Sequence, residues 1–208
     1  MRILVGCEFS GVVREAFRAF SGVEAFSCDL LPCEDGRTDY HIQGDVEGAL
    51  ALGWDLAILH PPCTNLTVSG LHHNLRNPER AERTERDLAF VRRLLSADVR
   101  HIALENPVGC ISSRIRKPDQ IIHPWQFGHP ESKTTCLWLK NLPKLVPTDI
   151  LTPTRFQKNG RPQWDNQTPT GQNKLGPSAD RWKLRSVTYS GIAKAMADQW
   201  VPHILKTL

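Results

Sequence analysis

The chain has 208 residues, enough to bury the core of one domain, and 40% of them are hydrophobic against 23% charged. This composition excludes disordered and fibrous proteins, and no apolar run approaches the ~20 residues of a membrane-spanning helix. The net charge of +4 is too small to indicate a nucleic-acid partner by itself. We expect a cytoplasmic protein that does not enter the membrane, since Ile3-Leu4-Val5 begins an apolar run without a signal-peptide layout.

Short apolar runs alternate with helical patterns along the first two-thirds of the chain. They predict strands at 2–7, 23–28, 54–59, 99–104 and 134–139. Apolar spacing predicts helices at 12–20, up to 52, at 79–95 and at 190–205. Strands that alternate with helices indicate an α/β fold, with a mostly parallel sheet covered by helices on both faces. We expect one domain over residues 1–208.

The cysteines are scattered along the chain, and no two of them form a C-x-x-C pair. They are Cys7, Cys28, Cys33, Cys63, Cys110 and Cys136. In a cytoplasmic chain this pattern predicts free thiols and neither a disulfide framework nor a zinc site. The neighbouring His72-His73 pair also lacks further ligands at a useful spacing, so no metal is expected. A cysteine in unusual surroundings is therefore a candidate nucleophile.

Three predicted strands end in residues with distinctive chemistry, and ligands of parallel sheets bind beyond such ends. The first is followed by Cys7-Glu8-Phe9-Ser10-Gly11, the third by Pro61-Pro62-Cys63 and the fourth by Glu105-Asn106-Pro107. Two prolines can hold the Cys63 thiol rigidly over a cleft, where its thiolate is the reactive form. Partial burial is expected to raise the pKa of Glu105 and make it a proton donor. The alternatives are a structural cysteine in a turn and a glutamate that caps one.

Two aspartates occupy positions at which a nucleotide-like cofactor meets an acid. Asp29 ends the second predicted strand, where an acid commonly binds ribose hydroxyls. Asp45 lies where a carboxylate can contact an adenine amino group, and the Phe9-Ser10-Gly11 turn can bring backbone N–H groups to a ligand. Taken singly, each of these residues is equally well explained as a solvated turn residue.

The segment from 143 to 185 differs from the rest, because proline, glycine, asparagine and glutamine dominate it. Between Arg155 and Arg185 seven basic side chains face two acidic ones, a net +5 that exceeds the charge of the whole chain. Phe156, Trp164 and Trp182 are interleaved with them. Basic residues with aromatics favour contact with a single strand or a flipped base. A solvated basic loop is the alternative explanation.

Taken in chain order, these motifs resemble those of the S-adenosylmethionine-dependent cytosine-5 DNA methyltransferases over nearly the whole chain. The remaining matches are Phe127-Gly128-His129-Pro130-Glu131-Ser132-Lys133 and Arg185-Ser186-Val187-Thr188-Tyr189. The resemblance implies a three-layer Rossmann-like fold, S-adenosylmethionine as cofactor and DNA containing cytosine as partner. It implies catalytic roles for Cys63, Glu105 and Lys133. It implies cofactor contacts by Cys7, Glu8, Phe9, Ser10, Gly11, Asp29, Leu30, Asp45, Pro61, Ser186 and Thr188. It implies substrate contacts by Pro62, Asn65, Asn106, Pro107, Arg181, Lys183 and Arg185.

The implied chemistry is covalent. The Cys63 thiolate would add to carbon 6 of cytosine, Glu105 would hydrogen-bond or protonate ring nitrogen 3, and carbon 5 would take the methyl group. In a duplex the base must first leave the stack.

The chain departs from the family pattern in three places. Where the family has Gln-x-Arg-x-Arg, this chain has Glu131-x-Lys133-x-Thr135, and it lacks the usual asparagine near Ser186. A target-recognition domain is replaced by the irregular basic segment 141–182, which can hold phosphates but reads bases poorly. Three alternatives therefore stand beside duplex methylation. They are the same chemistry on a free pyrimidine nucleotide or single-stranded DNA, a non-catalytic DNA-binding module, and a partner subunit or second copy that supplies recognition. The compactness suggests a bacterial or phage-infected host by analogy.

Overall fold

The structure is a computed structural model that describes residues 1–207. The main sheet contains β1 (Arg2–Gly6), β2 (Glu24–Asp29), β3 (His41–Gln43), β4 (Leu56–Leu59), β5 (His101–Pro107), β6 (Gln120–Ile122) and β7 (Thr135–Lys140). A separate hairpin pairs β8 (Arg155–Phe156) with β9 (Pro162–Gln163). The α-helices are α1 (Val12–Arg18), α2 (Val46–Leu50), α3 (Val68–Leu71), α4 (Pro78–Leu95), α5 (Ile111–Arg114), α6 (Arg181–Ser186) and α7 (Ser190–Leu205). None of these helices is long and apolar enough to cross a bilayer.

The strands of the main sheet lie in the order β3-β2-β1-β4-β5-β7-β6. The first five are parallel, whereas β7 is antiparallel to both of its neighbours. Through those five strands the order is that of the Rossmann fold, so the predicted α/β class and mostly parallel sheet are confirmed. The direction of winding reverses between β1 and β4. In such sheets the ligand crevice lies beyond the carboxyl ends of the strands at this switch point.

Helices cover both faces of the sheet, and the alternation of β1 shows why. Ile3 and Val5 point into a core shared with α1 and α7, where Trp200 is fully buried. Leu4, between them, points into the opposite core, where Leu88 of α4 is fully buried. Successive strand residues face opposite sides, so an uninterrupted apolar run serves both cores. These contacts position the ends of β1 and β4 next to each other.

The structure corrects three features of the predicted sheet. β5 does not stop before Glu105 but continues to Pro107, because β7 pairs with it as far as Thr135. β3 and β6 were not predicted, since three residues are too few to give a periodic pattern. The predicted fifth strand is β7, whose antiparallel direction an apolar run does not reveal.

Candidate active site

The residues that follow β1 and β4, which include several predicted cofactor residues and the predicted nucleophile, lie side by side at the switch point. The backbone N–H of His60, just after β4, donates to the Gly6 carbonyl at the end of β1 (2.9 Å). The Glu8 N–H donates to the Cys28 carbonyl of β2 (3.1 Å). The first bond joins the turn after β4 to the end of β1, and the second joins the turn after β1 to β2. The residues predicted to bind cofactor and the predicted nucleophile therefore share one edge of the sheet.

The loop that carries Cys63 is fixed to the end of β5. Asn106 Nδ2 donates to the Pro61 carbonyl (2.8 Å), and the Cys110 N–H donates to the Leu66 carbonyl (2.8 Å). A Cβ on Gly109 would lie only 2.0 Å from the Leu66 oxygen, so the two backbones are in direct contact there. This close packing holds the Cys63 loop against the strand that carries Glu105.

The Cys63 thiol is partly buried and lies within the electrostatic reach of three charged groups. Burial raises its pKa, and the negative charge of Glu105 raises it further. The positive charges of Lys133 and Arg185 lower it. The predicted catalytic residues Cys63, Glu105 and Lys133 are thus brought together. The thiol remains predominantly protonated at neutral pH, because the burial outweighs the two cations.

Glu105 differs from the expectation that burial would make it a proton donor. Burial does raise its pKa, but His60 and Lys133 outweigh that effect and hold the pKa below its ordinary value. His60 Nδ1 lies 3.3 Å from Glu105 Oε2. The carboxylate is therefore ionised at neutral pH, which corrects the prediction. Its partners come from the loop after β4 and from the segment before β7, which the local sequence around Glu105 does not show.

Lys133 connects the catalytic residues to the C-terminal segment. Its ammonium donates to the Arg185 carbonyl at the end of α6 (3.0 Å) and lies 5.9 Å from the centre of the Tyr189 ring. The Tyr189 hydroxyl donates to Glu131 Oε2 (2.5 Å). The segment around 131–133 and the segment that joins α6 to α7 are consequently held together.

The predicted cofactor residues after β1, β2 and β3 also converge. Burial raises the pKa of the Cys7 thiol to about 12, and the neighbouring Asp29, Cys28 and Asp45 contribute to this rise. One oxygen of Asp29 accepts the Leu31 N–H (2.9 Å), and one oxygen of Asp45 accepts the Glu47 N–H (3.0 Å). Each carboxylate keeps a second oxygen for a ligand. Cys7 has a left-handed backbone (φ 58°), unusual for a residue with a side chain.

Other predicted cofactor residues are engaged within the protein. Glu8 is buried and accepts the Val13 and Arg14 N–H groups at the start of α1 (2.7 and 3.3 Å), and burial raises its pKa. Ser10 donates to the same carboxylate (3.3 Å). Phe9 is buried beside Trp182, with ring centres 5.8 Å apart. Leu30, in contrast, is 75% exposed next to Asp29 and offers an apolar surface.

The predicted contacts to substrate are dispersed, as are three predicted cofactor contacts, Pro61, Ser186 and Thr188. Asn65 donates to Asp87 of α4 (2.9 Å), so its amide is occupied by the protein itself. Lys183 forms an ion pair with Glu34, and Ser186 donates to the Lys183 carbonyl within α6 (2.7 Å). Pro62 is exposed, whereas Pro61 is buried. The remaining positions are placed as follows: Pro107 ends β5, Arg181 begins α6, Arg185 lies near its end, and Thr188 precedes α7.

The three aromatics of the basic segment have different environments. Trp164 is only 7% exposed and stacks on Trp125, with ring centres 5.6 Å apart and an interplanar angle of 5°. It is therefore a packing residue and cannot stack on a base, contrary to the expectation. Phe156 and Trp182 are 61% and 56% exposed and remain accessible.

The sequence reasoning missed two residues that shape this edge of the sheet. The motif pattern gives His60 no role of its own, although an ionisable residue directly after a buried strand is itself a signal. Arg14 is fully buried in α1 and donates to Ser27 of β2 (2.9 Å) and to Asp35. A charged residue among the apolar positions of a predicted helix, as in α1, is the sequence signal for a buried side chain that ties the helix to a neighbouring element.

Residues 1–207 contain no group of three or more side chains suited to hold a metal ion. No protein-family model matches the chain, and no curated protein matches it.

The chain is similar to a number of solved structures, among them two methyltransferases. One is the methyltransferase EhMeth from Entamoeba histolytica, at 16% identity and a TM-score of 0.48, with 73% of this chain and 57% of that chain covered. The other is described as a DNA modification methyltransferase encoded within an E. coli prophage, at 14% identity and a TM-score of 0.41, with 76% and 56% covered. The chain spans a little more than half the length of either protein.

Proposed function

We propose that the protein transfers a methyl group from S-adenosylmethionine to carbon 5 of cytosine in DNA. The observation that carries this proposal is the meeting of Cys63, Glu105 and Lys133 at one edge of the sheet. A thiol can add to the cytosine ring as a nucleophile. A neighbouring carboxylate and ammonium can stabilise the charge that develops during this addition.

The residues at the β1–β4 switch point fit the proposed cofactor. Asp29 follows β2 with one free carboxylate oxygen for ribose hydroxyls, and Asp45 offers another at the start of α2. The exposed Leu30 side chain supplies an apolar surface for a flat base. S-adenosylmethionine supplies an electrophilic methyl group when bound.

The side chains of the chain have separate tasks in the proposed reaction. Cys63 attacks carbon 6 as a thiolate, and Lys133 and Arg185 favour its ionisation. Glu105 orients the ring by accepting a hydrogen bond from the exocyclic amine. The hydrogen bond from Asn106 to the Pro61 carbonyl fixes the position of the Cys63 loop relative to the strand that carries Glu105.

The size of the basic segment favours an acceptor whose base is already accessible. The two strands of its hairpin have two residues each, and only two of its three aromatics are exposed. Such a surface can hold phosphates and stack on an unpaired base. Single-stranded DNA is therefore the second acceptor to test, and a free pyrimidine nucleotide is the third.

The test is transfer of labelled methyl to duplex DNA, single-stranded DNA and dCMP, followed by digestion to nucleosides. We expect label in 5-methylcytosine, loss of that label with Cys63→Ala, and full retention with Cys33→Ala as the matched control. Label in a different base, or equal labelling by the Cys63→Ala variant, would contradict the proposal. Binding of DNA and cofactor without any transfer would favour the non-catalytic module.

A further inference from the structure

His60 occupies a central position at the switch point, yet the proposed reaction assigns it no task. Its backbone is tied to β1 through the Gly6 carbonyl, and its side chain is only 10% exposed. The ring approaches Glu105 with Nδ1, at 3.3 Å from Oε2. The other ring nitrogen, Nε2, is buried without a hydrogen-bond partner among residues 1–207. A buried imidazole with one satisfied nitrogen is an unusual arrangement for a purely structural residue.

The charges that face this ring come from three elements. Glu105 lies on β5, and Glu8 follows β1 and acts electrostatically on His60. Lys133, before β7, acts on Glu105, and Cys63 follows His60 in the same loop. Of these groups, Glu105 is the one that His60 contacts. Glu105 is thus the carboxylate in contact with the ring, and Glu8 is a second carboxylate within its electrostatic reach.

The chemistry of the proposed reaction leaves a role open at this point. Addition of a thiolate to carbon 6 moves electron density onto nitrogen 3, which has to be protonated or hydrogen-bonded. Glu105 is held ionised by its neighbours and carries no proton of its own to give. The group in hydrogen-bond contact with its carboxylate is the His60 imidazole.

We propose that His60 is a positioning residue that holds the proton which Glu105 delivers to ring nitrogen 3 of the bound cytosine. This inference rests on the proposed function. In the step, the Cys63 sulfur forms a bond to carbon 6, and the ring's double bonds shift toward nitrogen 3. The Glu105 carboxylate takes the Nδ1 proton of the His60 imidazolium and passes it to nitrogen 3, which leaves the imidazole neutral and Glu105 ionised again. When the adduct collapses, the proton returns by the same route and the sulfur–carbon bond breaks.

The experiment follows the addition step without the cofactor. While sulfur is bound at carbon 6, carbon 5 can take a proton from water, so tritium at carbon 5 of cytosine in DNA washes out into the solvent. Exchange by the unaltered protein and none by Cys63→Ser would establish the adduct. His60→Asn places an amide N–H where Nδ1 lies and keeps the hydrogen bond, but it cannot transfer a proton. His60→Phe removes both. His73→Asn, an exposed histidine in the same region, is the control.

We expect the exchange rate to fall on the order of 10²-fold in both His60 variants, with unchanged DNA affinity and melting temperature. We expect added imidazole to restore part of the exchange in His60→Ala. If His60→Asn exchanges as fast as the unaltered protein, a hydrogen bond suffices and the proposal is wrong. If the unaltered protein shows no exchange, the proposed function itself fails, and the two failures are therefore distinct.

Discussion

Asn166 and Ser132 are joined by two reciprocal hydrogen bonds: the Ser132 N–H donates to Asn166 Oδ1 (3.0 Å), and Asn166 Nδ2 donates to the Ser132 carbonyl (2.9 Å). Beside them, the Asp165 N–H donates to the Pro130 carbonyl (2.8 Å). The basic segment is therefore attached to the residue that directly precedes Lys133. Its attachment point lies next to the chemistry and not at a remote surface.

The first prediction concerns this attachment. Asn166→Ala removes both bonds, each of which contributes about 1 kcal/mol, so the hairpin should detach more often. We expect trypsin to cleave after Arg155 and Lys158 roughly tenfold faster than in the unaltered protein, as measured by mass spectrometry of timed digests. Asn173→Ala, whose side chain bonds only within the segment (2.8 Å to the Leu175 N–H), is the control and should leave cleavage unchanged. Equal rates in both variants would show that the anchor lies elsewhere.

The second prediction concerns the reactivity of Cys63. Its pKa is raised, so the thiolate forms only at high pH. The rate of alkylation by iodoacetamide should therefore still be rising with pH at about pH 9. Glu105→Gln removes a negative charge that raises the pKa, whereas Lys133→Ala removes a positive charge that lowers it. At neutral pH we expect labelling of the Cys63 peptide to speed up with the first and slow down with the second. Each change should be about two- to tenfold, since a pKa unit is a factor of ten in thiolate.

The matched control for this experiment is Lys140→Ala, at the far end of β7, the strand that follows Lys133. Its ammonium donates to the Ala97 carbonyl (3.3 Å), away from the site. A change in labelling as large as that of Lys133→Ala would mean that the effect is not local.

The third prediction concerns cofactor affinity. Asp29→Asn keeps the shape of the side chain but weakens bonds to ribose hydroxyls, and bonds to charged groups contribute about 1.5–3 kcal/mol. We therefore expect the Kd for S-adenosylmethionine, measured by titration calorimetry, to rise about tenfold or more. Asp39→Asn, in an exposed turn before β3, should leave the Kd unchanged. Unaltered binding by Asp29→Asn would remove this residue from the proposed cofactor site.

The fourth prediction concerns the contact between the Cys63 loop and the end of β5. Gly109→Ala places a Cβ 2.0 Å from the Leu66 carbonyl oxygen, a backbone atom that cannot move aside freely. We expect a loss of at least about 2 kcal/mol in the free energy of unfolding, measured in urea, and a loss of methyl transfer. Gly48→Ala, a helical position with nothing within 4 Å of the added Cβ, should be neutral or slightly stabilising. Equal stability of the two variants would contradict the clash.

The parts of the fold that could be predicted are those whose physics is local. β1, β2 and β4 are buried apolar runs bounded by turn residues, and they fall within two residues of their predicted bounds. α7 matches its predicted range of 190–205, because its apolar residues repeat at helical spacing against one core. The Leu88 and Val91 face of α4 is buried as predicted. In each case the chain's immediate neighbourhood determines the element.

The parts that could not be predicted depend on partners far away in the sequence. The ionisation of Glu105 depends on His60, and nothing near Glu105 in the chain indicates this contact. Trp164 and Trp182 both lie in the basic segment, but stacking on Trp125 buries Trp164 while Trp182 stays exposed. The roles of Cys63 and Asp29 stay predictions, although the fold brings each of them to the switch point.

Lys133 performs two tasks with a single ammonium group: it receives the final turn of α6 and it supplies positive charge to Cys63. A phosphate that draws this group away must release the Arg185 carbonyl at the same moment. The pKa of Cys63 would therefore depend on whether Lys133 is bound to the end of α6. Because the Lys133 charge lowers the pKa of the Cys63 thiol, its withdrawal would raise that pKa, so Cys63 would ionise most readily while Lys133 holds the Arg185 carbonyl.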